Sequence, residues 1–288
     1  IARSALTGCP LCGLPMATPN SSPPDRPLVS CLLVTADRPH LVQRALHCYR
    51  AQTYPNKQLV VLDNGLEHQI EDLVAEWDEG DVVYEYVKRT PEMWIGSLRN
   101  QALDLATGDY VVPQWDDDDW SHPERLARQA AVLDDGYDAC TLQGTLMHVD
   151  SESFFDHPFI GVLPNGVPPT IMHRRDADIR YPNLRRTSDT DYVNDWRDRR
   201  YHILPRTDSY LYLRYFHGDN LWEKDHFVRR MRNTPKDLLL YAWHRYVKGN
   251  MFGHPRFQLT PAMQEAFAAY LDVSFTYDLF QARSAPAA

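Results

Sequence analysis

Four consecutive carboxylates, Asp116-Asp117-Asp118-Asp119, stand directly after a short apolar run, Tyr110 to Trp115, and directly before a helix-starting pattern. Adjacent acids repel one another, so unless solvent screens them the arrangement calls for a cation. A hard divalent ion, Mg²⁺ or Mn²⁺, takes oxygen ligands of this kind; a solvated acidic loop is the plainer alternative. Asp63 ends a second apolar run, Gln58 to Leu62. There it can accept a hydrogen bond from a ribose or a base, or simply build the turn Asp63-Asn64-Gly65. Arg99 and Asn100 fall one turn into a helical pattern, whose first amides and positive dipole end suit an anion. Arg99 can meet a phosphate there or stand as a surface arginine.

The elements that must carry these residues alternate. Leu28 to Thr35 reads as a buried strand, and a helix follows with Leu41, Val42, Ala45, Leu46 and Tyr49 on one face and Asp37 as its expected N-cap. Strands at Gln58 to Leu62, Val82 to Val87 and Tyr110 to Trp115 enclose helices at Ile70 to Trp77 and Ile95 to Ala106, with Gly108 as the expected stop of the second. Ser121-x-x-Glu124 reads as a capping box for a helix running to Leu133. Strands alternating with helices at these lengths imply an α/β fold, a mostly parallel sheet with helices on both faces, whose ligands gather at the carboxyl ends of the strands. From about Ala139 to Leu213 the pattern is one of further strands and loops. Thr234-Pro235 and Thr260-Pro261 then open C-terminal helices.

A chain of 288 residues suits about two domains of ~150 residues, or one large α/β domain with an appendage. Hydrophobic residues make up 43% and charged ones 24%, which excludes wholesale disorder. Thirty Lys and Arg against 39 Asp and Glu leave a net charge of −9, a poor basis for holding a phosphate backbone, so no nucleic-acid partner is expected. No apolar run approaches the ~20 residues of a membrane helix. With no charged-then-apolar leader after Ile1, the expected location is cytoplasmic, with a peripheral position on the inner face of a membrane as the other option. Cys9 and Cys12 form half a zinc knuckle without a matching second pair, while Cys31, Cys48 and Cys140 read as small buried hydrophobes in a reducing compartment. Three segments follow: a Cys-containing start with a Pro- and Ser-rich linker over 1–27, a domain over 28–221 with halves of about 28–133 and 134–221, and a helical extension over 222–288.

Taken in order, the motifs resemble the family 2 inverting glycosyltransferases, which have the A-type, Rossmann-like nucleotide-sugar-binding fold. The carrying stretches are Val29-Ser30-Cys31-Leu32-Leu33-Val34-Thr35-Ala36-Asp37-Arg38-Pro39, Ala51-Gln52-Thr53-Tyr54-Pro55-Asn56 and Val60-Val61-Leu62-Asp63-Asn64-Gly65. They continue with Gly96-Ser97-Leu98-Arg99-Asn100-Gln101-Ala102, Ala106-Thr107-Gly108-Asp109-Tyr110 and the acidic run ending in Trp120. The resemblance covers about Leu28 to Leu133 closely and runs more loosely to Asn220. It implies that Thr35 and Asp63 line a nucleoside pocket and that Arg99 lies near the diphosphate, with Asp37, Arg38, Asn100 and Asp117 also on the donor. The family's aspartate-any-aspartate metal motif falls on Asp116 and Asp118, with Asp119 close to the donor sugar; a one-residue slip would move it to Asp117 and Asp119. In Arg186-Thr187-Ser188-Asp189-Thr190-Asp191-Tyr192 the family usually has a Glu-Asp pair whose Asp is the general base; Ser188 replaces the Glu, Asp189 is the first choice and Asp191 the reserve. Tyr215-Phe216-His217-Gly218-Asp219-Asn220 resembles the closing His-Gly-x-Asn segment, whose His reaches the metal or the diphosphate. Ala36 stands where many members carry a ring that stacks on the base.

The implied chemistry is metal-dependent inversion at the anomeric carbon of a nucleotide-sugar, UDP being the expected nucleotide, with Asp189 taking the proton of an acceptor hydroxyl. A saccharide, lipid-linked saccharide, protein or small-molecule acceptor are all open, as is the oligomeric state. Two rival readings are a non-catalytic nucleotide- or glycan-binding module, kept alive by Ser188, and a nucleotidyltransferase. The latter leaves His217 to Asn220 without a role and lacks a glycine-rich phosphate loop near the first strand. The C-terminal aromatics Trp222, Phe227, Tyr241, Trp243, Tyr246, Phe267, Tyr270 and Phe275 are expected to pack onto the domain; an acceptor wall, a dimer contact or a membrane-surface patch are the alternatives.

Overall fold

The computed structural model describes residues 26–184, 188–218, 220 and 228–282. Cys9, Cys12, Arg186, Thr187, Asp219, Trp222 and Phe227 lie outside the described residues.

The first half follows the alternation read from the sequence: β1 (Val29–Thr35), α1 (Pro39–Arg50), β2 (Lys57–Asp63), α2 (Glu71–Trp77), β3 (Val82–Tyr86), α3 (Ile95–Leu105) and β4 (Tyr110–Val112). Next come β5 (Trp120–Ser121), α4 (Arg125–Asp134), β6 (Ala139–Leu142), β7 (Gly144–Val149), β8 (Phe159–Val162), β9 (Met172–Arg174), α5 (Ser188–Arg197), β10 (Tyr201–Leu204) and β11 (Tyr212–Phe216). Two C-terminal helices close the fold, α6 (Pro235–Ala242) and α7 (Pro261–Thr276). The main sheet has seven strands in the order β10-β6-β9-β4-β1-β2-β3. All neighbours run parallel except β9, which is antiparallel to both β4 and β6. A second sheet is ordered β5-β11-β7-β8.

Alternation along β1 distributes its side chains to two cores. Cys31 and Leu33 pack with Val42, Ala45 and Leu46 of α1 and Leu126 and Ala130 of α4, whereas Leu32 packs with Leu98 and Ala102 of α3 and Tyr192, Val193 and Trp196 of α5. Helix α7 belongs to the first core through Met263, Ala266 and Tyr270. Cys31, Cys48 and Cys140 are buried free thiols, and burial raises their pKa values to about 12, 11 and 12. Among the described residues no helix is long and apolar enough to cross a membrane.

Several local signals acted differently from their reading. Asp37 does not cap α1: its φ is +57°, and its carboxylate accepts from Leu66 N at 2.7 Å and Arg89 Nη2 at 2.8 Å. Ser121 lies in β5 and its hydroxyl accepts from Arg125 Nη1 at 2.9 Å, so the expected box does not form and α4 begins only at Arg125. Gly108 is no left-handed helix stop; a Cβ there would lie 2.6 Å from the Leu28 carbonyl and 2.8 Å from Ser30 N, so it allows the chain to press against β1. The threonine starts hold as read: Thr234 Oγ1 accepts from Asp237 N at 3.1 Å and Thr260 Oγ1 from Met263 N at 3.4 Å.

Candidate functional site

The carboxyl ends of β1 and β2, the loop after β4, the first turns of α3 and α5 and the end of β11 converge on one edge of the main sheet. Thr35, the last residue of β1, donates its hydroxyl to Asp117 at 2.6 Å, and Arg38 Nη2 pairs with the same carboxylate at 2.8 Å. Asp117 is thereby walled in, and burial raises its pKa to about 6 against the pull of Arg38. Asp118 turns the other way, toward Arg38 Nη1 at 3.6 Å, His217 Nε2 at 3.7 Å and Asn220 Nδ2 at 3.3 Å. Burial opposes its charge, yet His217 and Arg38 hold its carboxyl below the ordinary range. At 3.7 Å the contact with His217 is electrostatic, and Nε2 is buried with no hydrogen-bond partner among the described residues.

Asp116 and Asp119 have separate tasks. Arg99 Nη2 reaches Asp116 at 3.3 Å while Nη1 contacts Asp189, 90 residues beyond Arg99 at the start of α5, so one buried guanidinium joins the two carboxylates. Arg99 also lies over the Tyr181 ring at 5.4 Å, itself stacked on Tyr192 of α5 at 3.9 Å. Asp119 accepts from Tyr212 Oη at 2.8 Å and Tyr215 N at 3.1 Å, bracing β11; burial, with Asp118 beside it, raises its pKa to about 7. Both of its oxygens are thus engaged by β11. Asn100 spends both ends of its amide on Tyr181, donating to its carbonyl at 2.9 Å and accepting from its N–H at 2.8 Å. It anchors the strand-to-helix connection and does not face the cleft. Asp191 is exposed and sits two residues beyond Asp189, about 200° further round α5.

At the end of β2, Asp63 accepts from Gly65 N at 2.8 Å and Tyr84 Oη at 3.0 Å. A Cβ on Gly65 would lie 2.9 Å from Asp37 Oδ1 and 3.0 Å from Asp63 Oδ1, so the glycine lets two carboxylates close around one turn.

The donor chemistry fits a hard divalent ion in part. Asp118 Oδ2 and the orphaned His217 Nε2 face one another, and such ions are commonly held by one or two protein groups with substrate phosphates completing the shell. Asp116 is not gathered with them, being held on Arg99, and among the described residues no three His, Cys, Asp or Glu side chains form a metal-binding group.

Four residues that support the site were given no individual role in the sequence reading, although Tyr215 and Asn220 belong to the closing motif. Arg44, fully buried in α1, donates to the Asp118 carbonyl at 2.7 Å and to Ser274 Oγ of α7 at 3.1 Å. Tyr212 and Tyr215 secure Asp119, and Asn220 accepts from His217 N at 2.8 Å. An arginine three residues after Leu41, beside the apolar face of α1, was the one available hint; the partners lie too far along the chain to be read.

The chain is similar in sequence and in fold to known glycosyltransferases. The chain is 27% identical over 128 residues to the uncharacterized glycosyltransferase MJ1057 of Methanocaldococcus jannaschii, a match covering 44% of each chain. It is 29% identical over 105 residues to the putative colanic acid biosynthesis glycosyl transferase WcaA of Escherichia coli, covering 36% of this chain and 37% of that one. The matches thus span less than half the length of either relative. Among solved structures, S. aureus TarS 1-349 in complex with UDP-GlcNAc superposes with a TM-score of 0.53 at 18% identity, covering 86% of this chain and 81% of that one. The mannosyltransferase PcManGT from Pyrobaculum calidifontis, in complex with GDP-Man and Mn²⁺, gives 0.50 at 17% identity over 86% and 76%. At these identities both establish the fold alone, an α/β fold of the A type. The model of glycosyl transferase family 2 matches residues 30–190, more than half of the chain, and the chain belongs to that family.

Proposed function

We propose that the chain transfers a glycosyl group from a UDP-sugar to an acceptor nucleophile with inversion, assisted by Mn²⁺ or Mg²⁺. The observation that carries the reading is the Arg99 bridge: one side chain links Asp116 of the acidic loop to Asp189 of α5. The carboxylates expected at the diphosphate and the one expected at the acceptor therefore belong to a single cleft. Asp189 takes the proton of the acceptor hydroxyl as its oxygen attacks the anomeric carbon from the face opposite the diphosphate. The bond from that carbon to the phosphate oxygen breaks and its electron pair leaves with the diphosphate. Asp118 and His217 would hold the divalent ion, which would supply Lewis-acid neutralisation of the departing charge. Arg99 adds positive donors on the same side, and Thr35 and Arg38 keep Asp117 turned away so that Asp118 alone points to His217.

The choice of uridine is supported by the complex of TarS with UDP-GlcNAc; the GDP-Man complex of PcManGT makes guanosine the rival. A thermal-shift panel of UDP, GDP, CDP and dTDP with and without Mn²⁺ tests both points. A nucleotide at 100 times its dissociation constant adds about 2.7 kcal/mol of stability. Stabilisation by UDP that needs Mn²⁺ and disappears in Asp118→Asn is expected. GDP-selective stabilisation would overturn the uridine assignment, and no response to any nucleotide would overturn the transferase reading.

A further inference from the structure

Residues 235–250 carry an unusual surface. Among the described residues eight large hydrophobic side chains are exposed, and five of them, Leu238, Leu239, Trp243, Tyr246 and Val247, belong to this one segment. Leu239 is 73% and Tyr246 79% exposed, and no residue of α6 or of the π-helical turn Trp243–Val247 that continues it is buried. At about 100° per residue these five side chains share roughly half of the helix circumference. Asp237 and Tyr241 fall on the other half and face inward: Asp237 pairs with Arg256 at 2.6 Å, and Tyr241 packs on the cluster of Met147, Phe159, Val228 and Met231. The same cluster holds Phe216, the residue before His217, so the exposed face and the end of β11 share one small core.

The charge on this face is one-sided. Lys236, Arg245 and Lys248 are exposed, Lys236 and Arg245 lying at opposite edges of the apolar arc, and the only acid in the segment is the paired Asp237. A basic fringe around apolar and aromatic side chains stands out on a chain whose net charge is −9. An isologous contact with a second copy would set that fringe against itself, which like-charge repulsion disfavours. An anionic bilayer surface offers what the face lacks: headgroup charge for the three bases, an acyl boundary for Leu239 and Val247, and an interfacial level for Trp243 and Tyr246.

We propose that the α6 face, Leu238 to Lys248, docks the protein on an anionic lipid surface. The test is co-sedimentation of the full chain with vesicles of phosphatidylcholine alone or mixed with phosphatidylglycerol. Pelleting with the mixed vesicles only, weakened by salt, is expected. Lys236→Gln with Arg245→Gln should lower the vesicle partition coefficient by about fivefold per charge removed. Leu239→Ser with Tyr246→Ser should lower it by at least about tenfold, given the apolar area each side chain would bury. Both variants should keep the wild-type circular dichroism and nucleotide thermal shift, since none of these positions lies in the cleft. Absence of pelleting with anionic vesicles, or unchanged pelleting of the Leu239→Ser/Tyr246→Ser protein, would overturn the proposal. So would a vesicle-free dimer in analytical ultracentrifugation that this variant dissolves, which would assign the face to a second copy. Vesicle binding needs no nucleotide, so its outcome is separable from that of the donor panel.

Discussion

Replacing Arg44 by methionine tests whether the C-terminal helix helps to hold the acidic loop. The guanidinium is fully buried, sits 5.1 Å over the Tyr215 ring and 5.4 Å over the Tyr270 ring, and donates to the Asp118 carbonyl and to Ser274 Oγ. Each hydrogen bond from a charged donor is worth about 1.5–3 kcal/mol, and the abandoned Asp118 carbonyl adds a penalty of similar size. Methionine restores the packing of the aliphatic stem and sheds the cost of burying a charge, which offsets part of the loss. A net destabilisation of about 2–4 kcal/mol is expected, read by urea unfolding monitored by circular dichroism. In a double-mutant cycle, Arg44→Met and Ser274→Ala should couple by about 1 kcal/mol, because the two groups share a bond. The nucleotide and Mn²⁺ thermal shift should weaken in parallel, since Asp118 loses the bond that fixes its backbone. An Arg44→Met protein within about 0.5 kcal/mol of wild type, the range of an ordinary surface substitution, would refute this account of how α7 and the loop are joined.

Other substitutions probe the cleft and the core. Asp118→Asn should lower transfer by at least about 10²-fold in a donor-turnover assay, the scale of losing one electrostatic stabiliser; near-wild-type turnover would remove Asp118 from the metal site. Asp189→Asn should abolish transfer while retaining nucleotide stabilisation, and Asp191→Asn, on the exposed side of α5, should stay active; the reverse pattern would shift the base by two residues. His148 is held between Tyr270 Oη at 2.8 Å and the Phe155 carbonyl at 3.0 Å, and burial lowers its pKa from 6.5 to about 4. The native state keeps it neutral while the unfolded chain protonates it, so its contribution is whole above pH 6.5 and drains as the pH falls toward 4. His148→Gln should therefore reduce the stability difference between pH 7 and pH 5 by about 2 kcal/mol, and an unchanged difference would contradict the buried neutral imidazole.

The parts of this fold that are local in sequence are the parts the sequence displays. The run from β1 to β4 is visible because short apolar runs alternate with period-3.6 hydrophobicity over adjacent stretches, and the Thr234 and Thr260 caps because each bond closes within three residues. The second sheet is not visible: β5 has two residues, and β11 joins β5 and β7 over long separations. Asp37 and Ser121 mislead for a related reason. Both are common cap residues, and tertiary partners, Leu66 and Arg89 for one and Arg125 for the other, claim their oxygens instead. In the cleft, residue types and the strand-end location of Asp116 to Asp119 are legible, but the division of labour among them is not. It is set by Thr35, Arg38, Tyr212 and Arg99, contacts that span 17 to 93 residues.

The antiparallel β9 between β4 and β6 has a consequence for how the molecule is made. A ribosome releases β1 to β3 in spatial order and then β4, which adds on the other side of β1, yet the strand that covers the free side of β4 comes only at Met172–Arg174, after β5 to β8 have emerged. During that interval the β4 edge offers unpaired amides and carbonyls to any passing strand, a recognised route to aggregation. A fragment ending near Leu133 would retain this open edge permanently, and expression of the first half alone should yield inclusion bodies where the intact chain does not. The early half of the sheet thus depends, for its colloidal safety, on a three-residue strand synthesised some 60 residues later.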